Sequence, residues 1–284
     1  MTEIKTIFLP FNNIQPTELV IDMALLVADR FGSYIEGVHY RQPLPIVAGE
    51  GITLPGDYLA SFEAEGRMQA ETASVRFREL LECRGIPLGS LGDRTNTPRG
   101  GWRQMVEVES FTLGEYARLF DLSIIERHGS EKAINWKTTF ETILFDSGRP
   151  ILICANHTPE ILGRRVVIAW NGSSEAARSI SSAMPFLENS EEIMVLSVNG
   201  GMESGPDNIQ VTQHLAERGL LSESRTIESG SDSVGKVILQ FATEWNCDLL
   251  IKGAYTRSRL RQLVFGGPTR EILDNSSIPT LFCH

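Results

Sequence analysis

The stretch from Leu249 to Leu273, LLIKGAYTRSRLRQLVFGGPTREIL, combines residue types that bind anions. Up to residue 270 it contains no carboxylate and five cations: Lys252, Arg257, Arg259, Arg261 and Arg270. A glycine ends its apolar run, and the glycine pair Gly266–Gly267 precedes a helical pattern. Glycine lets an anion approach the backbone, and a helix N-terminus offers unpaired N–H groups and the positive end of the helix dipole. The pattern therefore favours a phosphate site, although glycines that only form turns and arginines that only face solvent would give the same spacing.

The composition is that of a globular protein that does not bind polyanions. The 284 residues carry 26 basic and 36 acidic side chains, a net charge of -10, which disfavours broad contact with nucleic acid or an anionic membrane. No apolar run approaches the ~20 residues of a membrane span, and we expect no secretory signal. The four cysteines form no CxxC pair and no cluster with the five histidines, so we expect reduced thiols, no metal site and a cytoplasmic location.

The chain contains an internal repeat. Three pairs of segments match in the same order, namely residues 5–12 with 165–172, 121–122 with 248–249, and 149–157 with 278–284. Paired positions near the carboxyl ends, such as Cys154 and Cys283, are 129 residues apart. The match predicts a tandem duplication with domains at 1–157 and 158–284, and about thirty extra residues in the first half point to an insertion near 42–60.

Strand and helix patterns alternate along the second half. Short apolar runs predict strands near 165–170, 192–198, 220–230, 247–253 and 278–284, and helical patterns lie between them. This alternation predicts parallel pairing with right-handed crossovers. The expected fold class is therefore α/β, with two tandem doubly wound sheets of five parallel strands. The terminal strands at 151–155 and 280–284 are expected to pair and to hold the halves together as a pseudo-dimer.

Other stretches that could suggest chemistry are better explained as structure. The segment at 228–235, rich in serine and glycine, follows a third strand, so we interpret it as a turn in which Ser231 or Asp232 caps the next helix. Trp102 is expected to be a core anchor of the third strand in the first half. No Ser-His-Asp order or carboxylate pair stands out, so no catalytic residues and no enzymatic activity are predicted, with slow ATP hydrolysis left open.

The second half resembles the universal stress protein family. The resemblance rests on the motifs AWNGS, GAY, SRL and FGGPTR, which start at residues 169, 253, 258 and 265, and on a final P-x-L strand. It covers both halves in architecture but only the second half in motif. It implies a Rossmann-like fold of the adenine nucleotide alpha hydrolase type, with ATP or a related adenine nucleotide as the ligand.

The resemblance also implies a set of ligand-binding residues. They are Gly253, Thr256, Gly266, Gly267 and Thr269 around the ribose and phosphates, Asn171 near the adenine and ribose, Val198 at the end of the second strand, and Arg257 on a phosphate. Arg261 is expected to form a structural ion pair instead.

Three of these positions depart from the family pattern. Thr256 stands where a glycine is usual, Gly267 replaces a serine or threonine, and Asn171 replaces an aspartate. Each change removes a hydrogen bond worth ~1 kcal/mol or adds a clash. The sequence therefore predicts weakened nucleotide binding, with Thr256 as the residue that limits affinity.

The corresponding loop of the first half lacks the glycine pattern. Between Arg127 and Thr139 it has one glycine, and Lys137-Thr138 stands where Gly266–Gly267 would align. We therefore expect no phosphate site there and interpret the first half as a structural partner. Two functions remain open: a nucleotide-binding module of stress response or signalling, and a nucleotide-free scaffold that acts through protein–protein contacts, for example as a homodimer.

Overall fold

A computed structural model describes residues 3–12, 15–40, 56–93, 95–105, 112–127, 133–255 and 267–284 of the chain. The strands of the first half are β1 (Thr6–Asn12), β2 (Tyr34–Tyr40), β3 (Arg99–Met105), β4 (Leu122–Ile125) and β5 (Ile151–Ile153). Its helices are α1 (Glu18–Phe31), α2 (Gly56–Glu82), α3 (Leu113–Tyr116) and α4 (Ala133–Asp146), with a 3-10 turn at Ala117–Leu119. The predicted insertion near 42–60 lies outside the described residues up to residue 55, and its remainder begins α2.

The second half has the same order of strands, closely at the predicted positions. They are β6 (Arg165–Ala169), β7 (Glu192–Asn199), β8 (Glu223–Glu228), β9 (Leu249–Gly253) and β10 (Thr280–Cys283). The helices are α5 (Ser174–Leu187), α6 (Asn208–Ala216), α7 (Val234–Glu244) and α8 (Pro268–Asn275). Among the described helices, none carries an apolar stretch long enough to cross a bilayer.

The described strands form one sheet in the order β3-β2-β1-β4-β5-β10-β9-β6-β7-β8. Pairing is parallel within each half, and the two halves meet where β5 and β10 run antiparallel, with Leu281 opposite Leu152. The doubly wound α/β fold is therefore confirmed. The two five-stranded sheets are joined edge to edge because their last strands pair with each other.

Two aspartates at equivalent positions of the two halves make equivalent hydrogen bonds. The Asp121 carboxylate accepts hydrogen bonds from the backbone N–H groups of Lys5 and Thr6 at 2.8 and 3.0 Å, just before β1. The Asp248 carboxylate likewise accepts from the N–H groups of residues 163, 164 and 165 before β6. Each aspartate thus ties the start of its fourth strand to the start of the first strand of its half.

The continuous apolar run at 165–170 predicted a strand buried on both faces, and β6 is buried from Val166 to Ala169, whereas the edge strand β8 is mainly exposed. On β9, Leu249 and Ile251 pack with α5 and α6 on one face, and Leu250 faces α7 and α8 on the other. Burial of one such side chain stabilises the fold by ~1.5–3 kcal/mol. Both core layers continue across the β5–β10 junction, and Phe140 of α4 meets Phe282 of β10 at 5.4 Å between ring centroids.

The prediction for Trp102 is confirmed, and the prediction for the N-cap of α7 is wrong. Trp102 is a core anchor as expected, since its ring stacks on Phe11 at 5.7 Å and packs on Phe77 at 5.3 Å between centroids. The predicted cap of α7 was wrong, because the helix begins one residue later and its N-cap is Ser233. The Asp232 carboxylate instead accepts from the Lys236 ammonium at 2.7 Å.

Candidate functional site

A cavity of about 900 Å³ opens at the carboxyl edge of the second half. Its floor is formed by the ends of β6, β7 and β9, and its walls by the N-terminal turns of α7 and α8. The first strand of the half, β6, lies between β7 and β9, so the strand order reverses there. Ligands of open α/β sheets bind at this point. We call this space the second-half cavity.

Both helices that point into the second-half cavity lack a side-chain cap. Ser233 and Gly267 are the N-caps of α7 and α8, and neither accepts a side-chain hydrogen bond from its own helix. In contrast, Ser173 caps α5 and Asp207 caps α6 through bonds from the N–H groups of residues 176 and 210. The cavity therefore meets the positive ends of two helix dipoles, an arrangement that favours an anionic ligand.

Four of the residues predicted from the sequence line the second-half cavity. They are Asn171, Val198, Gly267 and Thr269. The backbone of Gly267 is extended, with φ of 178°, and a Cβ added there would meet nothing within 4 Å. No described protein atom therefore requires a glycine at this position, and the open space beside it is part of the cavity.

Gly253, a fifth predicted residue, faces the other side of the sheet. A Cβ built on it would lie 2.4 Å from the backbone nitrogen of Ala176 and 2.5 Å from the carbonyl carbon of Glu175. The glycine is thus required by the close packing of β9 on the first turn of α5. It is absent from the cavity lining, and its predicted contact with a ligand stays a prediction.

The remaining predicted residues, Thr256, Arg257 and Gly266, lie outside the described residues, as do Arg259 and Arg261. The predicted effect of Thr256 on affinity and the predicted roles of the arginines therefore stay predictions.

Two lining residues also hold the cavity in shape. The Asn171 Oδ1 accepts from the Ser173 hydroxyl at 2.7 Å and from its N–H at 3.3 Å, which fixes the start of α5. The Thr269 hydroxyl accepts from the N–H of Tyr255 at 3.4 Å and so links the end of β9 to α8. Tyr255 has φ of 57°, which lies in the left-handed region.

Sequence reasoning did not assign Lys252 to the site. This lysine is the fourth residue of β9, it lines the second-half cavity, and only 6% of it is exposed. Its ammonium donates to the carbonyl of Gly253 at 3.1 Å, and burial lowers the pKa of the amine to about 8. The signal in the sequence is a lysine within an otherwise apolar strand.

The described wall of the cavity is mixed in charge and not uniformly basic. Arg270 and Lys252 line it together with the carboxylates of Glu203, Glu271 and Asp274. The Ser233 hydroxyl donates to Glu271. Among the described residues, no cluster of three or more His, Cys, Asp or Glu side chains could hold a metal ion.

Two cationic residues of the first half contact α8. The Lys137 ammonium lies 2.6 Å from the Asp274 carboxylate, and the Arg127 guanidinium donates to the carbonyls of Leu273 and Ser276 at the carboxyl end of α8. In the sequence, Lys137-Thr138 stands where the second half has its glycine pair, and no phosphate site is expected there. In the structure Lys137 forms an ion pair with a wall residue of the second-half cavity.

The sheet order and the cavity at its reversal point define a tandem α/β protein of the doubly wound type. The model of the universal stress protein family matches residues 163–284, so this part of the chain is a universal stress protein domain. A search of curated proteins found no significant match.

Solved structures with the same fold extend over the whole chain. A universal stress protein from Archaeoglobus fulgidus DSM 4304 aligns with 99% of this chain and 96% of its own, at 16% identity and a TM-score of 0.69. A putative universal stress protein from Pseudomonas aeruginosa UCBPP-PA14 covers 99% and 93%, at 13% identity and a TM-score of 0.54. A functionally unknown protein from Pseudomonas aeruginosa PAO1 covers 99% and 92%, at 12% identity and a TM-score of 0.53. At these identities the likeness shows the fold, which both halves of the chain share.

Proposed function

We propose that the second half binds one adenine nucleotide in the second-half cavity and that the protein acts as a ligand-responsive module of stress response or signalling. The observation that carries this proposal is the convergence of two uncapped helix N-termini on a cavity at the sheet reversal. The family of residues 163–284 supports it.

The lining residues suit the parts of a nucleotide. Ala169, Leu196, Val198 and Ile238 are buried apolar residues that would face the adenine ring. Carboxylates accept hydrogen bonds from ribose hydroxyls in dinucleotide-binding sheets, and Glu203, a lining residue, would take this role. The phosphates would lie at the N-terminus of α8, beside Gly267, where backbone N–H groups and the dipole stabilise negative charge.

We assign binding and not catalysis to this site. Two of its carboxylates already have partners, since Glu271 accepts from Ser233 and Asp274 pairs with Lys137. A general base must be able to reach the proton that it removes. In this proposal the first half, with domain bounds near 1–157, is a structural partner in a pseudo-dimer, which the β5–β10 pairing and the contacts of α4 with α8 support.

The first test is mass spectrometry of any ligand released from protein purified without added nucleotide, followed by calorimetric titration with ATP, ADP and AMP. We expect one site per chain. Two equivalent sites would contradict the assignment to the second half. If no nucleotide is released and none binds, the scaffold function replaces this proposal.

A matched pair of variants tests the location. Gly267→Leu places a side chain in the cavity. Because no described protein atom lies within 4 Å of the Cβ position, we expect the fold to tolerate this side chain and the side chain to displace the ligand. Ser277→Leu adds the same side chain at an exposed position beyond the other end of α8. We expect Gly267→Leu to weaken binding at least about tenfold, which corresponds to ~1.4 kcal/mol, and Ser277→Leu to leave it unchanged. Equal affinities in the two variants would exclude this cavity.

A further inference from the structure

Lys252 is a buried cation without an acidic partner among the described residues. Its ammonium has one described hydrogen bond, to the carbonyl of Gly253 at 3.1 Å. An ammonium can donate three hydrogen bonds, so two remain for other groups. Across the sheet Lys252 lies between Ala169 and Phe282, and the small Ala169 side chain leaves space above the floor of the cavity.

The other charged groups of the cavity do not neutralise Lys252. Glu271 accepts from Ser233, and Asp274 pairs with Lys137. Arg270, another charged residue of the described wall, is a second cation that lies 3.8 Å from Asp274. Burial lowers the pKa of Lys252, and among the described residues no carboxylate offsets that effect.

The first half shows that the fold does not need a cation at this place. Counting from the equivalent aspartates Asp121 and Asp248, the position that matches Lys252 is Ile125. Ile125 is the last residue of β4 and is buried in the core between the sheet and α3 and α4. The same strand position therefore holds an apolar side chain in one half and a buried ammonium in the half with the cavity. A buried charge without a partner costs stability, and a negatively charged ligand that enters the cavity would offset this cost.

We propose that Lys252 selects the ligand of this cavity by its phosphate, so that a phosphorylated nucleoside binds and the unphosphorylated nucleoside binds poorly. This inference rests on the proposed function and adds a residue that determines specificity at the floor of the site. A phosphate oxygen would accept the hydrogen bonds that Lys252 does not make in the described structure. The phosphate would then lie between Lys252 and the N-terminus of α8, where both contribute positive charge.

The test compares Lys252→Met with wild type, using adenosine, AMP and ATP as ligands in calorimetric titrations. We expect wild type to bind the nucleotides more tightly than adenosine by about 10- to 100-fold, the range that a charged hydrogen bond contributes. Lys252→Met should lose this preference while retaining its affinity for adenosine. Lys236→Met serves as the matched control, because Lys236 is an exposed lysine of α7 that pairs with Asp232 outside the cavity.

A second readout separates selection from a structural role. Because Lys252→Met removes a buried charge, as Ile125 does in the first half, the ligand-free variant should melt at a higher temperature than wild type. Lower stability together with an unchanged preference for nucleotides would overturn the inference. Lys252→Gln provides a second variant of similar length if the methionine variant does not fold.

The failure of the inference can be told apart from the failure of the proposed function. If Lys252→Met binds ATP as tightly as wild type does, and also binds adenosine as tightly as wild type does, the nucleotide function stands and the role of Lys252 is refuted. If wild type binds none of these ligands but inorganic pyrophosphate raises its melting temperature, and this effect disappears in Lys252→Met, the anion role stands without the adenine. If neither adenine ligands nor pyrophosphate bind, both proposals are wrong.

Discussion

The two halves of the chain share one strand order but use the carboxyl edge of the sheet differently. After the equivalent aspartates, the first half continues to Ile125 and Glu126, and the second half to Lys252 and Gly253. Glu126 accepts a hydrogen bond from Thr17, the N-cap residue of α1, and burial raises its pKa. At the matching place Gly253 has no side chain, and β9 lies directly against the first turn of α5.

The difference shows that the same edge of the sheet can hold a structural contact or a cavity, and that two adjacent residues differ between the two cases. In the first half a carboxylic side chain fills the space between the strand and the helix cap, and an isoleucine completes the core. In the second half a glycine brings strand and helix together, and a lysine faces a cavity. Substitutions at matched positions can therefore test the contrast.

The largest effect is expected at Gly253. Gly253→Ala places a Cβ 2.4 Å from a backbone atom of α5, so the strand and helix must separate. We expect a loss of about 3 kcal/mol in the free energy of unfolding, as for other overpacked cores. Glu126→Ala, the matched change in the first half, should cost only ~1 kcal/mol because it removes one hydrogen bond. Urea denaturation measures both, and equal losses would refute the contrast.

The next effect concerns the support that the first half gives to α8. Arg127 is half-buried, and its guanidinium donates to carbonyls at the carboxyl end of that helix. We expect Arg127→Ala to lower the free energy of unfolding by about 2 kcal/mol, the scale of hydrogen bonds to a charged group. Amide hydrogen exchange should accelerate in α8 more than in α5. Unchanged exchange in α8 would show that the helix is stable without the first half.

The pH dependence of stability separates Lys252 from its counterpart Ile125. The pKa of Lys252 is lowered from 10.5 to about 8 in the folded protein, so between these values the unfolded chain binds a proton that the folded chain does not. Stability from this group therefore rises with pH across that window, by about 1 kcal/mol per pH unit. The stability difference between Lys252→Met and wild type should shrink as pH rises from 8 to 10. A stability difference that stays constant between pH 8 and pH 10 would contradict a buried charge on Lys252.

The smallest effect is expected for the ion pair between the halves. Lys137 and Asp274 are each about one third exposed, with side-chain exposures of 36% and 32%, so the pair is screened by solvent. Lys137→Ala should cost only about 0.5 kcal/mol of stability. It removes the nearest cation from Asp274 and leaves that carboxylate beside the cavity with Arg127 and Arg270, so nucleotide affinity should fall about twofold. Tighter binding in titration calorimetry would show that Asp274 does not repel the ligand.

The sequence predicted the sheet well because its signals are local. Buried strands are continuous apolar runs, and the two aspartates and the paired terminal strands revealed the repeat. The resemblance to the universal stress protein family implied four lining residues of the cavity, which lie after β6, at the end of β7 or at the start of α8.

What the sequence could not predict depends on tertiary contacts. The packing role of Gly253 comes from α5, about eighty residues earlier in the chain. The sequence groups Lys252 with the basic residues that follow it, and its burial depends on α7 and α8, which cover the end of β9 only in the folded chain. Glu203, Glu271 and Asp274 come from separate elements, and only the folded chain brings them to one cavity.

The junction of the halves has a consequence for synthesis of the protein. Strand β5 lies in the middle of the sheet, but its partner β10 follows about 130 residues later in the chain. At 5–20 residues per second, a nascent first half would wait roughly 6–26 s before that partner emerges. During this interval β5 is an edge strand, and its unpaired backbone N–H and C=O groups can pair with other chains. Because β5 has only three residues, it offers few backbone groups for such pairing until β10 is synthesised and pairs with it.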